Sequence, residues 1–188
     1  MIDFEGARCE VEKVQVSVFS QAETIIKASQ LIHNCFQNGG KLLWCGNGGS
    51  AAEAQHMSAE YMVRFVNNRA PLASLALSTD SSLLTAHSND FEYETIFARQ
   101  VEALGKKGDV LIAISTSGKS PNILNAIKQA KQQTLAVVFL VGFTNPDISD
   151  LADIIFNVDS TITARVQEGH TLINHLVCEG VENLISDK

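Results

Sequence analysis

The sequence has few of the features that mark a disulfide scaffold, a membrane span or a nucleic-acid surface. Its four cysteines form no CxxC pair and no zinc-knuckle spacing, so we expect buried free thiols in a reducing compartment. No apolar run approaches the roughly 18 to 20 residues of a membrane span, and the segment MIDFEGARCEVEK is too acidic for a secretory signal. The net charge of −7 provides no basic stripe for nucleic-acid phosphates. These absences predict a cytoplasmic protein that binds small molecules or proteins, but no nucleic acid and no membrane.

The length and composition are those of one well-packed domain. The chain has 188 residues, of which 45% are hydrophobic and 19% are charged. We therefore predict a single domain over residues 1–188. Apolar residues recur at helical spacing from about Val11 to Phe36, which predicts an N-terminal helical region over about residues 5–38.

Short apolar runs alternate with helical segments along the rest of the chain. The predicted strands are KLLWCG, PLASLALS, DVLIAIS, TLAVVFLVG and IIFNVDS. The predicted helices are SAAEAQHMSAEYMVRF with Ser50 at its cap, DFEYETIFARQVEALG, SPNILNAIKQAKQQ with Pro121 in its first turn, and a last helix over about 163–185. The alternation predicts an α/β fold with a doubly wound, five-stranded parallel sheet flanked by helices, in a flavodoxin-like three-layer arrangement. Ligands bind at the carboxyl ends of such strands, so the loops of interest are 46–50, 78–80 and 115–120.

The first of these loops, Gly46 to Ser50, leads from a strand into a helix. Free backbone N–H groups and the helix dipole favour an anion or polar oxygens at such a place. The loop also fits the relaxed dinucleotide fingerprint G-x-G-x-x-A. A dinucleotide site further needs an acidic residue about 20 residues later, at the end of the second strand, but the first acid near that strand end is Asp80, well beyond this distance. A dinucleotide is therefore disfavoured. A tight turn that needs glycine for backbone reasons stays an alternative to anion binding.

The loop from Ser115 to Ser120 concentrates hydroxyl and N–H groups between a buried strand and a helix. A phosphate monoester held there would receive several hydrogen bonds and the favourable helix dipole. A turn with a serine cap is the alternative, but the position at the carboxyl end of a strand favours phosphate. In a nucleotide P-loop the lysine follows a GxxxxG sequence. This sequence is absent before Lys119, so the loop does not imply ATP.

A histidine and a glutamate share one face of the helix that follows the first loop. His56 and Glu60 are four residues apart, so both side chains can point into one cleft. The pair could bind a divalent metal, move a proton, or form a solvated ion pair. On the last helix, Gln167 and His175 are eight residues apart, about 12 Å of helical rise. Either that helix is irregular or two chains share the site.

Four segments together resemble a known family. They are GGKLLWCGNGGSAAEAQHMSAEYMVRF, LSTDSSLLTAHSNDFEYETIFARQVEALGKKGDVL, ISTSGKSPN and ARVQEGHTLINHL, in the order and approximate spacing of the SIS-domain sugar isomerases. The resemblance is weakest at the N-terminus and departs at Gly142 to Asp147, where the family has a glycine-rich loop. It implies an isomerase that converts sedoheptulose 7-phosphate to D-glycero-D-manno-heptose 7-phosphate through an enediol, in heptose biosynthesis for lipopolysaccharide or capsule.

The resemblance also implies a set of site residues. Contacts to the sugar phosphate are implied for Asn47, Gly48, Gly49, Glu60, Asn89, Asp90, Ser115, Thr116, Ser117, Ser120 and Gln167. A divalent ion, usually zinc, is implied at His56, Glu60, Gln167 and His175, with Glu60 and His175 as the acid–base pair. The family is typically a homotetramer with active sites between subunits, which would resolve the spacing of Gln167 and His175.

A non-enzymatic SIS protein is the main alternative. One protein that resembles this chain in fold binds a bacterial replication initiator, and other SIS modules sense sugar phosphates. In the initiator-binding protein the positions that match Glu60 and His175 are not glutamate and histidine, whereas both are present here, which favours an enzyme. For a sensor, the sequence lacks an appended DNA-binding domain.

Overall fold

The protein is described by a computed structural model over residues 1–143 and 148–186. Five parallel strands form one sheet in the order β2-β1-β3-β4-β5. The strands are β1 (Leu42–Gly46), β2 (Ser74–Ala76), β3 (Val110–Ser115), β4 (Ala136–Val141) and β5 (Ile154–Asn157). The prediction of a doubly wound, five-stranded parallel sheet is confirmed, and the strand order is the flavodoxin-like one.

Helices cover both faces of this sheet. They are α1 (Phe4–Phe19), α2 (Ala22–Gln37), α3 (Gly49–Met62), α4 (Ser81–Asp90), a short 3-10 helix (Tyr93–Thr95), α5 (Ile96–Leu104), α6 (Pro121–Gln132) and α7 (Thr163–Ser186). Within the described residues, none of these helices is long and apolar enough to cross a membrane.

The core consists of two apolar layers, one on each face of the sheet. Alternate residues of a strand belong to opposite layers, because successive side chains of a strand point to opposite faces. In β3, Val110, Ile112 and Ile114 pack on the side of α1, α2, α3 and α7. Leu111 and Ala113 pack on the side of α5 and α6. Helices α3 and α7 therefore lie next to each other on one face.

The predicted N-terminal helical region consists of two helices separated at Ser20 and Gln21. The hydroxyl of Ser20 donates to the carbonyl of Ser17 at 2.8 Å, and this local bond competes with helix continuation. Both helices pack against α7. The assignment of residues 1–188 to a single domain stays a prediction, and Thr144 to Asp147 of the divergent loop lie outside the described residues.

Two local predictions are wrong, one for the helix after Asp90 and one for the start of α3. The helix predicted from Asp90 to Gly105 begins only at Ile96, because Phe91 is extended and ends a separate helix, α4, that the sequence reading missed. The carboxylate of Asp80 caps α4 by accepting from the N–H of Leu83 at 3.0 Å.

The start of α3 also differs from the prediction. Ser50 does not cap this helix, since the cap position is Gly48 with φ +55° and ψ −119°. Only glycine adopts this backbone conformation readily, so the glycine pair starts the helix one residue before the serine. By contrast, Pro121 occupies the first turn of α6, as predicted.

Candidate active site

The loops after β1 and β3 meet at the point where the strand order reverses. Gly46 at the end of β1 pairs with Ile114 near the end of β3, so the two loops leave the same edge of the sheet side by side. In parallel α/β sheets the crevice at such a switch point is the usual ligand site. The structure therefore brings together the two loops that the sequence singled out separately.

An amide pair joins the two loops. Nδ2 of Asn47 donates to Oδ1 of Asn122 at 2.9 Å, and Nδ2 of Asn122 donates back to Oδ1 of Asn47 at 2.8 Å. The hydroxyl of Tyr93 donates to the same Oδ1 of Asn47 at 3.1 Å. Asn122 is 2% exposed, so its position is determined by packing as well as by these bonds. The sequence did not predict Asn122 and Tyr93 as site residues. The one available signal was the position of Asn122 in the first turn of α6, directly after the loop that ends at Ser120.

A cleft of about 280 Å³ opens beside Asn47. Its polar lining includes Ser78, Thr85, Ser88 and Tyr93, which come from the loop after β2, from α4 and from the 3-10 helix. Asn89 and Asp90 directly follow Ser88 at the exposed end of α4, and Nδ2 of Asn89 donates to Oδ1 of Asp90 at 2.8 Å. The predicted pair therefore lies at the rim of the cleft, next to one of its lining residues.

The second loop forms a compact hydroxyl turn. The hydroxyls of Ser115 and Ser120 are 3.1 Å apart, and Ser115 is 4% exposed. Gly118 has φ +66°, and the hydroxyl of Ser117 accepts from the N–H of Lys119 at 3.2 Å. Helix α6 begins immediately afterwards, so its dipole points at this turn. The turn has the character of an anion site built from neutral donors.

Helices α3 and α7 run side by side in the same direction. A Cβ added to Gly49 would lie 2.4 Å from Nε2 of Gln167, so the side chain of Gln167 reaches α3 at this glycine. One turn further, Glu53 accepts from the hydroxyl of Thr171 at 3.0 Å and from Nδ2 of Asn174 at 2.9 Å. These contacts set the register of the two helices and bring the histidines that follow into contact.

Two histidines and two glutamates form a cluster between these helices, which we call the histidine cluster: Glu53, His56, Glu60 and His175. Nδ1 of His56 is 3.6 Å from Glu53 and Nε2 is 3.4 Å from Glu60. The rings of His56 and His175 are edge to face with centroids 5.1 Å apart. The His175 ring also contacts the Phe65 ring at 5.4 Å. Carboxylate and imidazole groups so placed can move a proton or bind a cation.

Glu53 is the member of the cluster that the sequence reading missed. It precedes His56 by three residues and Glu60 by seven, a spacing that places all three on one helix face. That spacing was the available signal. The two bonds from α7 hold Glu53 in place, whereas His56 and Glu60 stay partly exposed at 43% and 24% of their side chains.

Gln167 does not join the histidine cluster within one chain. Helix α7 is continuous from Thr163 to Ser186, which excludes the irregular helix that the sequence left open. Gln167 therefore lies about 12 Å from His175 along the axis, beside Gly49. The cluster begins at Glu53, about 6 Å along α3 from Gly49, and His56 lies about 10 Å from the same glycine.

One histidine and two cysteines on α7 and β1 are buried in the core rather than in the site: His170, Cys45 and Cys178. His170 is 1% exposed, and burial lowers its pKa to about 4, against the opposing influence of the Val141 carbonyl and Glu53. Burial raises the pKa of the thiols of Cys45 and Cys178 to about 12. The prediction of buried free thiols is confirmed for Cys35, Cys45 and Cys178 and is wrong for Cys9, which is exposed on α1.

The donor types of the cluster suit zinc, which takes imidazole nitrogen and carboxylate oxygen. However, no group of three or more His, Cys, Asp or Glu side chains is assembled for a metal within residues 1–143 and 148–186. Nε2 of His56 lies 3.4 Å from Glu60 and its ring contacts the ring of His175, whereas the amide of Gln167 is two turns away along α7. A complete set of four would need a second chain.

Comparison with known proteins identifies the family. The model of the SIS domain matches residues 10–142. The chain belongs to the SIS-domain family. A phosphoheptose isomerase of Burkholderia pseudomallei is 43% identical over 182 residues, which cover 95% of this chain and 92% of that protein.

Two solved structures extend the similarity to the fold. A phosphoheptose isomerase from Neisseria gonorrhoeae matches with a TM-score of 0.86 and 39% identity, over 95% of this chain and 96% of that one. Another from Francisella tularensis has a TM-score of 0.87 and 34% identity, over 97% and 100% of the two chains. The prediction that this SIS-domain chain is an isomerase is confirmed.

Proposed function

We propose that the chain interconverts sedoheptulose 7-phosphate and D-glycero-D-manno-heptose 7-phosphate through an enediol. The observation that carries this proposal is the histidine cluster, in which His56 of α3 contacts both the Glu60 carboxylate and the His175 ring of the facing helix. The relatives named phosphoheptose isomerase support the substrate class. We further propose that the product enters heptose biosynthesis for lipopolysaccharide or capsule.

The hydroxyl turn from Ser115 to Ser120 would hold the phosphate. Its hydroxyls, its backbone N–H groups and the dipole of α6 favour an anion without a cationic cluster. Asn47, with Gly48 and Gly49, would bind sugar hydroxyls, since the amide pair with Asn122 already fixes the Asn47 side chain. The phosphate and the reacting C1 and C2 atoms are at opposite ends of the substrate, which suits a site with separate binding and chemical parts.

Glu60 and His175 would perform the proton transfers. Glu60 takes the proton from C1 of the ketose while His175 protonates the C2 oxygen, which gives the enediol. Glu60, whose side chain is 24% exposed and whose new proton exchanges with solvent, then protonates C2, and His175 removes the proton from the C1 oxygen to form the aldehyde. Each proton taken is given back, so the enzyme is unchanged after one turnover, and the pair provides general acid–base catalysis.

We also propose one zinc ion per site, held by His56, Glu60, His175 and Gln167. Zinc bound there would supply a Lewis acid for the carbonyl and enediol oxygens. Because Gln167 is distant from His175 along α7, a neighbouring copy of the chain would supply it. Elemental analysis should find about one zinc per chain in wild type and none in a His56→Gln variant. Equal zinc in both proteins would contradict this site.

The separation between the two loops and the histidine cluster supports a homo-oligomer, which we propose to be a tetramer with shared active sites. Light scattering should give a mass of several times the 20.4 kDa chain. A monomer that remains fully active would exclude shared sites. We place the enzyme in the cytoplasm, because its four cysteines are free thiols, as expected in a reducing compartment.

The deciding experiment follows sedoheptulose 7-phosphate by NMR with the zinc-loaded protein in D₂O. An enediol mechanism with a solvent-exchanging base incorporates deuterium at C2 of the aldose and at C1 of the remaining ketose. Turnover without any deuterium would contradict the roles of Glu60 and His175. Absence of turnover by the wild type would sink the proposed function.

A further inference from the structure

A buried ion pair lies beyond the histidine cluster and takes no part in the proposed proton transfers. Nε of Arg69 is 3.0 Å from Oε1 of Glu182, and the two side chains are 6% and 1% exposed. Removing two such charges from water costs desolvation free energy. Good pair geometry and further hydrogen bonds to both side chains are needed to offset this cost. The additional partners of the two charges therefore indicate what the pair holds in place.

Arg69 holds the end of α3. Its Nη2 donates to the carbonyl of Glu60 and its Nη1 to the carbonyl of Tyr61, both at 2.8 Å. Carbonyls in the last turn of a helix lack intrahelical partners, so the guanidinium fork caps α3 at the residue that carries the proposed base. A lysine at this position could not reach the carboxylate and both carbonyls together, because its charge is a single point.

Glu182 holds the segment that follows α3. Its carboxylate accepts from the N–H groups of Phe65, Val66 and Asn67 at 3.1, 3.0 and 2.9 Å. Burial raises the pKa of Glu182, but these donors and Arg69 outweigh it and leave the pKa below the ordinary 4.5, so the carboxylate stays charged at neutral pH. The ring of Phe65 in turn lies 5.4 Å from that of His175.

The ion pair thus contacts the neighbours of both proposed catalytic groups without reaching the substrate cleft. We propose that Arg69 and Glu182 are positioning residues that set the distance between Glu60 and His175. This inference rests on the proposed function for its kinetic consequence, but its structural consequence can be measured separately. The pair acts on the chemical step and leaves the phosphate loops unchanged.

The test compares Arg69→Lys and Glu182→Gln with wild type. We expect kcat to fall by about 10- to 100-fold in each, with little change in KM, because small misplacements of catalytic groups have effects of this size. Asp109→Asn is the matched control. Asp109 is 3% exposed, pairs with Lys41 and accepts from the N–H groups of Lys41 and Lys106, ahead of β1 and β3. It should lower Tm and leave kcat unchanged.

Imidazole NMR signals of His56 and His175 provide a readout that does not depend on turnover. The signals should shift in Arg69→Lys and Glu182→Gln and stay in place in Asp109→Asn. Circular dichroism first verifies that each variant is fully folded under the conditions of the NMR measurement. If Arg69→Lys does not fold, Glu182→Gln decides alone. Folded variants with wild-type signals and wild-type kcat would overturn the proposal. If the wild type shows no turnover, the proposed function fails, and the imidazole signals alone decide this inference.

Discussion

The edge loops and the histidine cluster differ in the kind of polar group they present. At the sheet edge the groups are neutral and already paired, as in the amide pair of Asn47 and Asn122 and the hydroxyl pair of Ser115 and Ser120. Between α3 and α7 the groups are ionisable, and His56 is 43% exposed. Paired neutral groups are pre-organised to bind an anion, whereas exposed ionisable groups can exchange protons.

The comparison teaches that one chain holds the binding part and the chemical part of the candidate site in separate places. Their separation along α3 is about 10 Å from Gly49 to His56. If this division is correct, substitutions at the cluster change kcat and substitutions at the edge change KM. Of the four predictions below, ordered by expected free energy, those on Glu60, Asn122 and Ser120 test this division, and the one on His170 tests the buried histidine that separates the two parts.

The largest effect is expected for Glu60→Gln. Loss of the proton acceptor should lower kcat about a thousandfold, about 4 kcal/mol, with KM nearly unchanged. The control is Glu168→Gln on α7, where the exposed carboxylate pairs with Arg165 at 2.6 Å. Steady-state kinetics on both variants would break the comparison if Glu60→Gln raised KM and kept kcat.

His170 should make stability depend on pH, although it lies between the two parts and belongs to neither. Its pKa is lowered to about 4 in the folded protein from 6.5. Below pH 6.5 the unfolded chain takes up a proton that the folded protein refuses, so stability is lost as the pH falls toward 4, by about 3 kcal/mol.

Urea denaturation at several pH values measures this effect. The slope between pH 6.5 and 4 should be smaller in His170→Leu than in wild type. Identical slopes would mean that His170 accepts a proton in the folded state, and it would then have to be counted with the ionisable cluster.

Asn122→Ala removes the partner of Asn47. The unpaired amide should cost about 2 kcal/mol of unfolding free energy and raise KM, with kcat little changed. Asn125→Ala is the control on the same helix, since Asn125 is half-buried and donates to the carbonyl of Glu94 at 3.0 Å, away from Asn47. Equal KM values for the two variants would show that the amide pair does not organise binding.

The smallest effect is expected for Ser120→Ala. Loss of one neutral hydrogen bond to phosphate corresponds to about 1 kcal/mol, or about a fivefold increase in KM. Calorimetry with inorganic phosphate should show the same weakening and thereby separate anion binding from the chemical step. An unchanged affinity for phosphate would move the anion site away from this turn.

The predictable parts of the molecule were those with strong local signals. The strands are continuous apolar runs, and their alternation with helices predicted the sheet. Pro121 marked the start of α6. Helix α4 was missed because SSLLTAHSND has little apolar periodicity, and its cap at Asp80 was the usable signal. The start of α3 was predicted at the wrong residue because the backbone conformation of Gly48, and no capping side chain, determines where this helix begins.

The sequence by itself determined the order of elements, the two anion-favouring loops and the helical face that carries His56 and Glu60. Those depend on contacts within a few residues, which the periodicity of helices and strands encodes. Only the tertiary structure decided that Asn122 pairs with Asn47 and that α7 meets α3 in the register that joins His175 to His56. It also placed Gln167 away from them. These contacts span 75 residues or more. The amide pair joins two loops at the edge of the sheet, and the others arise from packing α3 against α7 on one face, which no local pattern specifies.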